Sequence, residues 1–226
     1  RQRQMCIRDR HPLTARLLGS ARSDFNGAFH FTFLVAEIFG NEEVFDTNNI
    51  FKTSKEDLNK ILRVLTPVLK LYTAKRTVQW TSELLEVFGG AGYIEDTGIP
   101  LLYRDNQVFA IWEGTTNVLS LDLLRALKKD QSWPMLMNFL KTELDKSTRA
   151  EKNKVQESFK KLNLWVAELY QAGDVALETE ARELAFKLAD LTGCVAWLRD
   201  LEGRSGSVTV EETKALSLFI EKRLAF

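Results

Sequence analysis

Three short clusters between Glu86 and Arg125 hold the side chains best suited to chemistry. They are Glu86-Val87-Phe88-Gly89-Gly90-Ala91-Gly92-Tyr93, Tyr103-Arg104-Asp105 and Trp112-Glu113-Gly114-Thr115-Thr116-Asn117. Glu113 is the strongest candidate. It stands just before a helix start, and burial of the Trp112 ring beside it would give an apolar wall that lifts a carboxylate pKa toward the range of a general base. Gly114 leaves that carboxylate unshielded. Thr115 and Asn117, with the free amides of the helix start, can present polar atoms to a cofactor. Gly89 and Gly90 permit a sharp turn with exposed amides, open to close approach by a ligand. Each cluster also has a plainer reading: Gly-Gly as a helix C-cap, Glu113 as a favourable charge at a helix dipole, and Arg104-Asp105 as a salt-bridge or capping element.

The elements around these clusters read as helices. Between His11 and Phe39 the apolar residues Leu18, Phe25, Phe29, Phe33 and Ala36 recur at helical spacing and define one face. Gly40 to Thr53 has turn chemistry. Ser54 and Asp57 then open a second helix, with the stripe Leu58, Ile61, Leu62, Leu65, Val68, Leu69 and Tyr72. Pro67 lies inside that stripe, and a restart with Thr66 as cap and Pro67 at the first position is preferred over a kink. The helix is expected to stop at Gly89-Gly90, and Ala91 to Pro100 reads as a loop.

Thr115 or Thr116 caps a helix running to about Lys128, with Leu119, Leu123, Leu124 and Leu127 on its buried side. Four more helices are expected at Ser132 to Lys146, Ala150 to Gln171, Asp174 to Leu201 and Val210 to Leu224, the last opened by a Thr209/Glu212 capping box. The fold class is therefore all-α: an up-and-down helical bundle over residues 11–128 with an appended helical region over 129–226.

Composition narrows the function classes. Residues 1–10 follow no period, resemble a translated adapter read, and are set aside as a non-native artefact. They hold four Arg and one Asp, so the remainder has three more acidic than basic residues. That balance gives no electrostatic case for nucleic acid, and the lysines 152, 154, 160 and 161 are interleaved with Glu151 and Glu157 as on a solvated face. Without Cys6 the one thiol is Cys194, in an apolar stripe with Leu191, Val195 and Leu198, which reads as buried and inert. Trp165 and Trp197 read as core. His11 and His30 are too far apart to suggest a metal site. Charges such as Glu37 and Lys70 interrupt every long apolar run, so no membrane span is expected. An intracellular setting, cytoplasmic or in an organelle matrix, fits best, and the chain reads as a fragment whose natural N-terminus is missing.

The segment from about Ser54 to Leu127 resembles the C-terminal helical domain of the acyl-CoA dehydrogenase family. That family's signature reads approximately Gln-x-x-Gly-Gly-x-Gly-Tyr, Tyr-Arg-Asp and Tyr-Glu-Gly-Thr. Here the three motifs stand in the same order as Glu86-x-x-Gly89-Gly90-x-Gly92-Tyr93, Tyr103-Arg104-Asp105 and Trp112-Glu113-Gly114-Thr115. Trp112 and the run Asn117 to Arg125 are more similar to the AidB-like branch than to the mitochondrial fatty-acid enzymes.

The resemblance implies α,β-dehydrogenation of an acyl-CoA thioester with FAD, and Glu113 as the base. It places Glu86, Gly89 and Gly90 at the FAD of a neighbouring subunit, Thr115 and Asn117 at the flavin, and Trp112 and Gly114 beside the thioester. A homodimer or homotetramer follows, together with an electron acceptor. A non-catalytic acyl-CoA-binding regulatory protein and a DNA-associated AidB-like flavoprotein are the alternatives. The family's N-terminal helical and middle β-domains have no counterpart in these residues, so the 226 residues alone are expected not to turn over acyl-CoA.

Overall fold

A computed structural model describes residues 11–224 except 46–48, 131 and 205. The set-aside first ten residues lie outside the described part. Eight α-helices run through the described residues and no strand occurs among them: α1 (Pro12–Glu43), α2 (Lys55–Val87), α3 (Ile99–Phe109), α4 (Thr116–Asp130), α5 (Ser132–Asp145), α6 (Lys152–Ala172), α7 (Asp174–Gly203) and α8 (Val210–Arg223). The all-α expectation holds.

Local chemistry explains most of the boundaries. Ser54 Oγ accepts the Asp57 amide at 3.1 Å and starts α2. At α8 the expected capping box is complete, the Thr209 hydroxyl and the Glu212 carboxylate each serving the other's amide. Gly89 has φ +58, so the left-handed residue that ends α2 falls on a glycine, as its sequence suggests.

Three expectations are corrected. α2 does not restart at Pro67; it is one helix of 33 residues with the buried Pro67 inside it. The proline's missing donor and steric cost are outweighed by the burial of Leu58, Ile61, Val64, Leu65, Val68, Leu71 and Tyr72 on either side. The stretch read as loop from Ala91 is two short 3₁₀ turns (Gly89–Gly92 and Glu95–Thr97), and α3 then begins at Ile99 with Pro100 in its first turn. The apolar face named on α1 is the outward one: Phe25, Phe29 and Phe33 are 63%, 45% and 58% exposed. α1 turns Phe31, Leu34, Val35 and Ile38 inward instead.

Two glycines explain that choice of face. A Cβ on Gly193 of α7 would lie 2.8 Å from the Gly27 carbonyl oxygen of α1, and a Cβ on Gly27 would lie 2.3 Å from the Phe219 ring of α8. Backbones thus meet where α1 crosses α7. α7 is the central helix, buried without a break from Leu188 to Leu198, and it packs on α1, α2, α4, α5, α6 and α8. Cys194 and Trp197 lie in this buried run; burial pushes the Cys194 thiol well up, in keeping with an inert cysteine. One apolar cluster joins all helices except α3.

A polar network crosses the same core. The Tyr72 hydroxyl donates to Asp190 Oδ1 at 2.6 Å, and Arg76 reaches Asp190 Oδ2 at 3.4 Å. Trp80 Nε1 donates to Asp24 at 2.8 Å, and Arg223 of α8 pairs with the same carboxylate.

Candidate functional site

Glu113 sits in the short connection from α3 to α4, built from two consecutive residues with positive φ: Glu113 at +54 and Gly114 at +111. The end of α3 closes through Trp112 N donating to the Val108 carbonyl at 2.8 Å. The start of α4 is fixed by the Leu119 amide donating to the Thr115 carbonyl at 3.0 Å, and α4 is pinned to α2 by a bidentate Arg63–Asp122 pair at 2.7 Å on both bonds. Glycine suits position 114 by its φ and by space, since a Cβ there would lie 3.1 Å from a Leu119 methyl. Glutamate at 113 has no such conformational excuse, and a left-handed backbone costs an L-residue about 1–2 kcal/mol.

Glu113 is an exposed residue at the rim of an open cavity of about 620 Å³, lined also by Lys70, Thr73, Ala74 and Thr77 of α2, Val108 and Phe109 of α3, and Trp112. Lys70 and Glu113 are its two charged side chains. The Lys70 ammonium donates to the Gly114 carbonyl at 2.5 Å. Desolvation lowers the Lys70 pKa, and the negative charge of Glu113 opposes that shift. Both threonines turn inward on α2: Thr73 Oγ1 donates to the Leu69 carbonyl and Thr77 Oγ1 to the Thr73 carbonyl, each at 2.8 Å. The cavity is apart from those charges largely apolar.

The expected burial of Trp112 against Glu113 does not occur within this chain. The ring is 67% exposed and nothing among the described residues covers it. Ile111, Phe109, Leu102 and Tyr93 are exposed on nearby turns as well. Thr115 and Asn117 are exposed at the first turn of α4, and their side chains have no hydrogen-bond partner among the described residues.

Glu86 and the glycines occupy a second place. Glu86, exposed on the last turn of α2, lines a different groove of about 400 Å³ with Leu13, Leu17, Trp80, Val87 and Lys222. A Cβ on Gly90 would meet open space, whereas one on Gly92 would lie 2.3 Å from the Leu85 carbonyl oxygen. Gly92 is thus required by the turn, and Gly90 leaves a bare backbone facing outward. Arg104 has a structural role: it pairs with Glu95 at 2.6 Å and ties α3 to the preceding turn. The structure therefore brings together Glu113, Trp112, Gly114, Thr115 and Asn117, and sets Glu86, Gly89 and Gly90 apart. Lys70 joins the first group unannounced, since in the sequence it is only a charge interrupting an apolar run.

Residues 47–128 match the family described as acyl-CoA dehydrogenase, C-terminal domain. The chain is 35% identical over 189 residues to acyl-CoA dehydrogenase family member 11 of Caenorhabditis elegans, which covers 79% of this chain and 29% of that protein. It is 45% identical over 67 residues to the putative acyl-CoA dehydrogenase AidB of Escherichia coli, 30% of this chain and 12% of that one. The solved structure of C. elegans ACDH-11 in complex with C11-CoA superposes with a TM-score of 0.84 at 30% identity, over 96% of this chain and 37% of that chain. This chain thus spans well under half the length of these relatives.

Proposed function

We propose, from a chain whose residues 47–128 match the acyl-CoA dehydrogenase C-terminal domain family, that the polypeptide containing it oxidises an acyl-CoA thioester between its α and β carbons. Glu113 is the base: its carboxylate takes the proton from the α carbon, a hydride leaves the β carbon, and the carbon–carbon double bond forms between them. The observation that carries this reading is the pair of positive-φ residues that place Glu113 at the rim of a largely apolar cavity, just before the start of a helix.

The residues present fit a flavin in part. Thr115 and Asn117 offer unpartnered polar groups beside Glu113 at the α4 start, and Gly90 offers a bare backbone elsewhere. Glu86 suits donor groups such as a ribose or adenine amine and repels phosphate. When bound, FAD supplies the acceptor for the β-hydride. Trp112 and Gly114 border the thioester, the exposed ring providing a wall for the substrate.

The separation of Glu86 and Gly90 from the Glu113 cavity supports a shared arrangement in which each subunit of a dimer or tetramer completes its neighbour's cofactor site. Within the family the reading adopts the AidB-like branch, supported by the 45% identity over 67 residues to AidB. The exposed Trp112 favours one second reading, a non-catalytic acyl-CoA-binding protein that keeps the fold. In the full-length polypeptide, Glu113→Gln is expected to lower the rate of flavin bleaching by acyl-CoA by about 10²- to 10⁴-fold while FAD stays bound. Turnover unchanged by Glu113→Gln would remove the base assignment, and acyl-CoA binding that never bleaches the wild-type flavin would establish the second reading.

A further inference from the structure

The Glu113 turn is held from outside by a residue that no motif contains. We infer that Lys70 is a positioning residue for the reaction: its ammonium, by holding the Gly114 carbonyl, keeps Glu113 in the backbone conformation that sets the base at the rim of the cavity. This rests on the reading of Glu113 as base. Lys70 lies on α2, and its contact with Gly114 at 2.5 Å bridges to the far side of the α3–α4 connection. Glu113 and Gly114 are consecutive positive-φ residues; glycine takes that region freely, so the backbone cost lies at Glu113, and a contact on the Gly114 carbonyl helps to hold the turn against it.

Lys70 is the side chain placed to fix it. The other polar groups lining the cavity from α2, Thr73 and Thr77, are turned to their own helix carbonyls. Lys70 and Glu113 share the cavity, yet no ion pair within 4 Å forms between them among the described residues. An ammonium clamped directly on the carboxylate would occupy the base and weaken its attack on a proton. Directed at the carbonyl one residue on, the same charge holds the turn and leaves the carboxylate oxygens free. Lys70 also remains half-buried on a rigid helix, so its reach is set by α2 and not by a mobile loop.

The test uses the full-length FAD-loaded oligomer with C11-CoA as probe, compared across wild type, Lys70→Met, Lys70→Arg and Glu113→Gln. Lys70→Met is expected to lower kcat by about 30- to 100-fold with KM changed by less than about threefold, because a base displaced by roughly 1 Å loses rate and leaves binding intact. The kinetic isotope effect with α-deuterated C11-CoA is expected to rise, since proton removal becomes slower than the other steps. Lys70→Arg, which keeps a cation within reach of the carbonyl, is expected to recover most of the loss.

A Lys70→Met enzyme within about threefold of wild type, or one slowed with an unchanged isotope effect, would overturn the inference; the second result would mark a smaller active fraction and a merely structural lysine. Retained turnover in Glu113→Gln would overturn the base assignment itself, whatever Lys70 does. Should Lys70→Met not fold, Lys70→Gln, which keeps a neutral donor, takes its place in the same assays.

Discussion

Glu113 unites a backbone cost with the proposed role of base. Its φ of +54 is unfavourable for an L-residue such as glutamate and more tolerable for asparagine, whose short side chain accepts the left-handed region. Glu113→Asn is therefore expected to raise unfolding stability by about 0.5–1 kcal/mol, read from urea denaturation, while removing the proposed dehydrogenation. A destabilised Glu113→Asn would mean the turn is held by the glutamate side chain itself. The composition of this turn was legible from sequence, because Trp-Glu-Gly-Thr at a helix start is unusual. Its support was not: Lys70 donates across 44 positions of chain, and neither a motif nor helical spacing can register such a contact.

At the scale of elements, α2 carries a proline that a helix interior rarely keeps. Pro67→Ala restores a donor and relieves the clash with the preceding turn, at the expense of some buried volume. A net gain of about 1 kcal/mol is expected by thermal unfolding; a loss of more than that would show Pro67 packing to be worth more than the missing hydrogen bond. The helix periods and caps of α4 to α8 were readable because their apolar stripes are long and their starts carry Thr or Ser chemistry. Pro67 misled because its local rule yields to burial on both sides. α3 was hidden because its eleven residues bury no side chain and begin beside Gly98 and Pro100, which together read as loop; the one usable start signal was Pro100 two places after Gly98. α1 misled differently: it has two apolar stripes, and the glycine crossing with α7 decides which of them faces inward.

Across the whole molecule the core joins the matched residues 47–128 to the helices that follow, and its buried charges make stability depend on pH. Asp190 on α7 is held in apolar surroundings, and that desolvation pushes its pKa up to about 6 despite the nearby Arg76 and the Tyr72 hydroxyl. A carboxyl whose folded pKa lies above its unfolded value contributes its full share below about pH 4, loses it between about pH 4 and 6, and changes nothing above that. Wild type minus Asp190→Asn stability is thus expected to fall by about 3 kcal/mol over that window and then stay level. A difference that rises with pH there would mean that Arg76 outweighs burial.

The bare contact between Gly27 and Gly193 carries an inheritance of its own. A side chain at 193 would strike the main chain of position 27, while one at 27 would strike the Phe219 ring, so each is held to glycine by a different remote neighbour. Exchanging the later helices for an unrelated module would leave the first one with an empty trough in which no side chain was ever meant to sit.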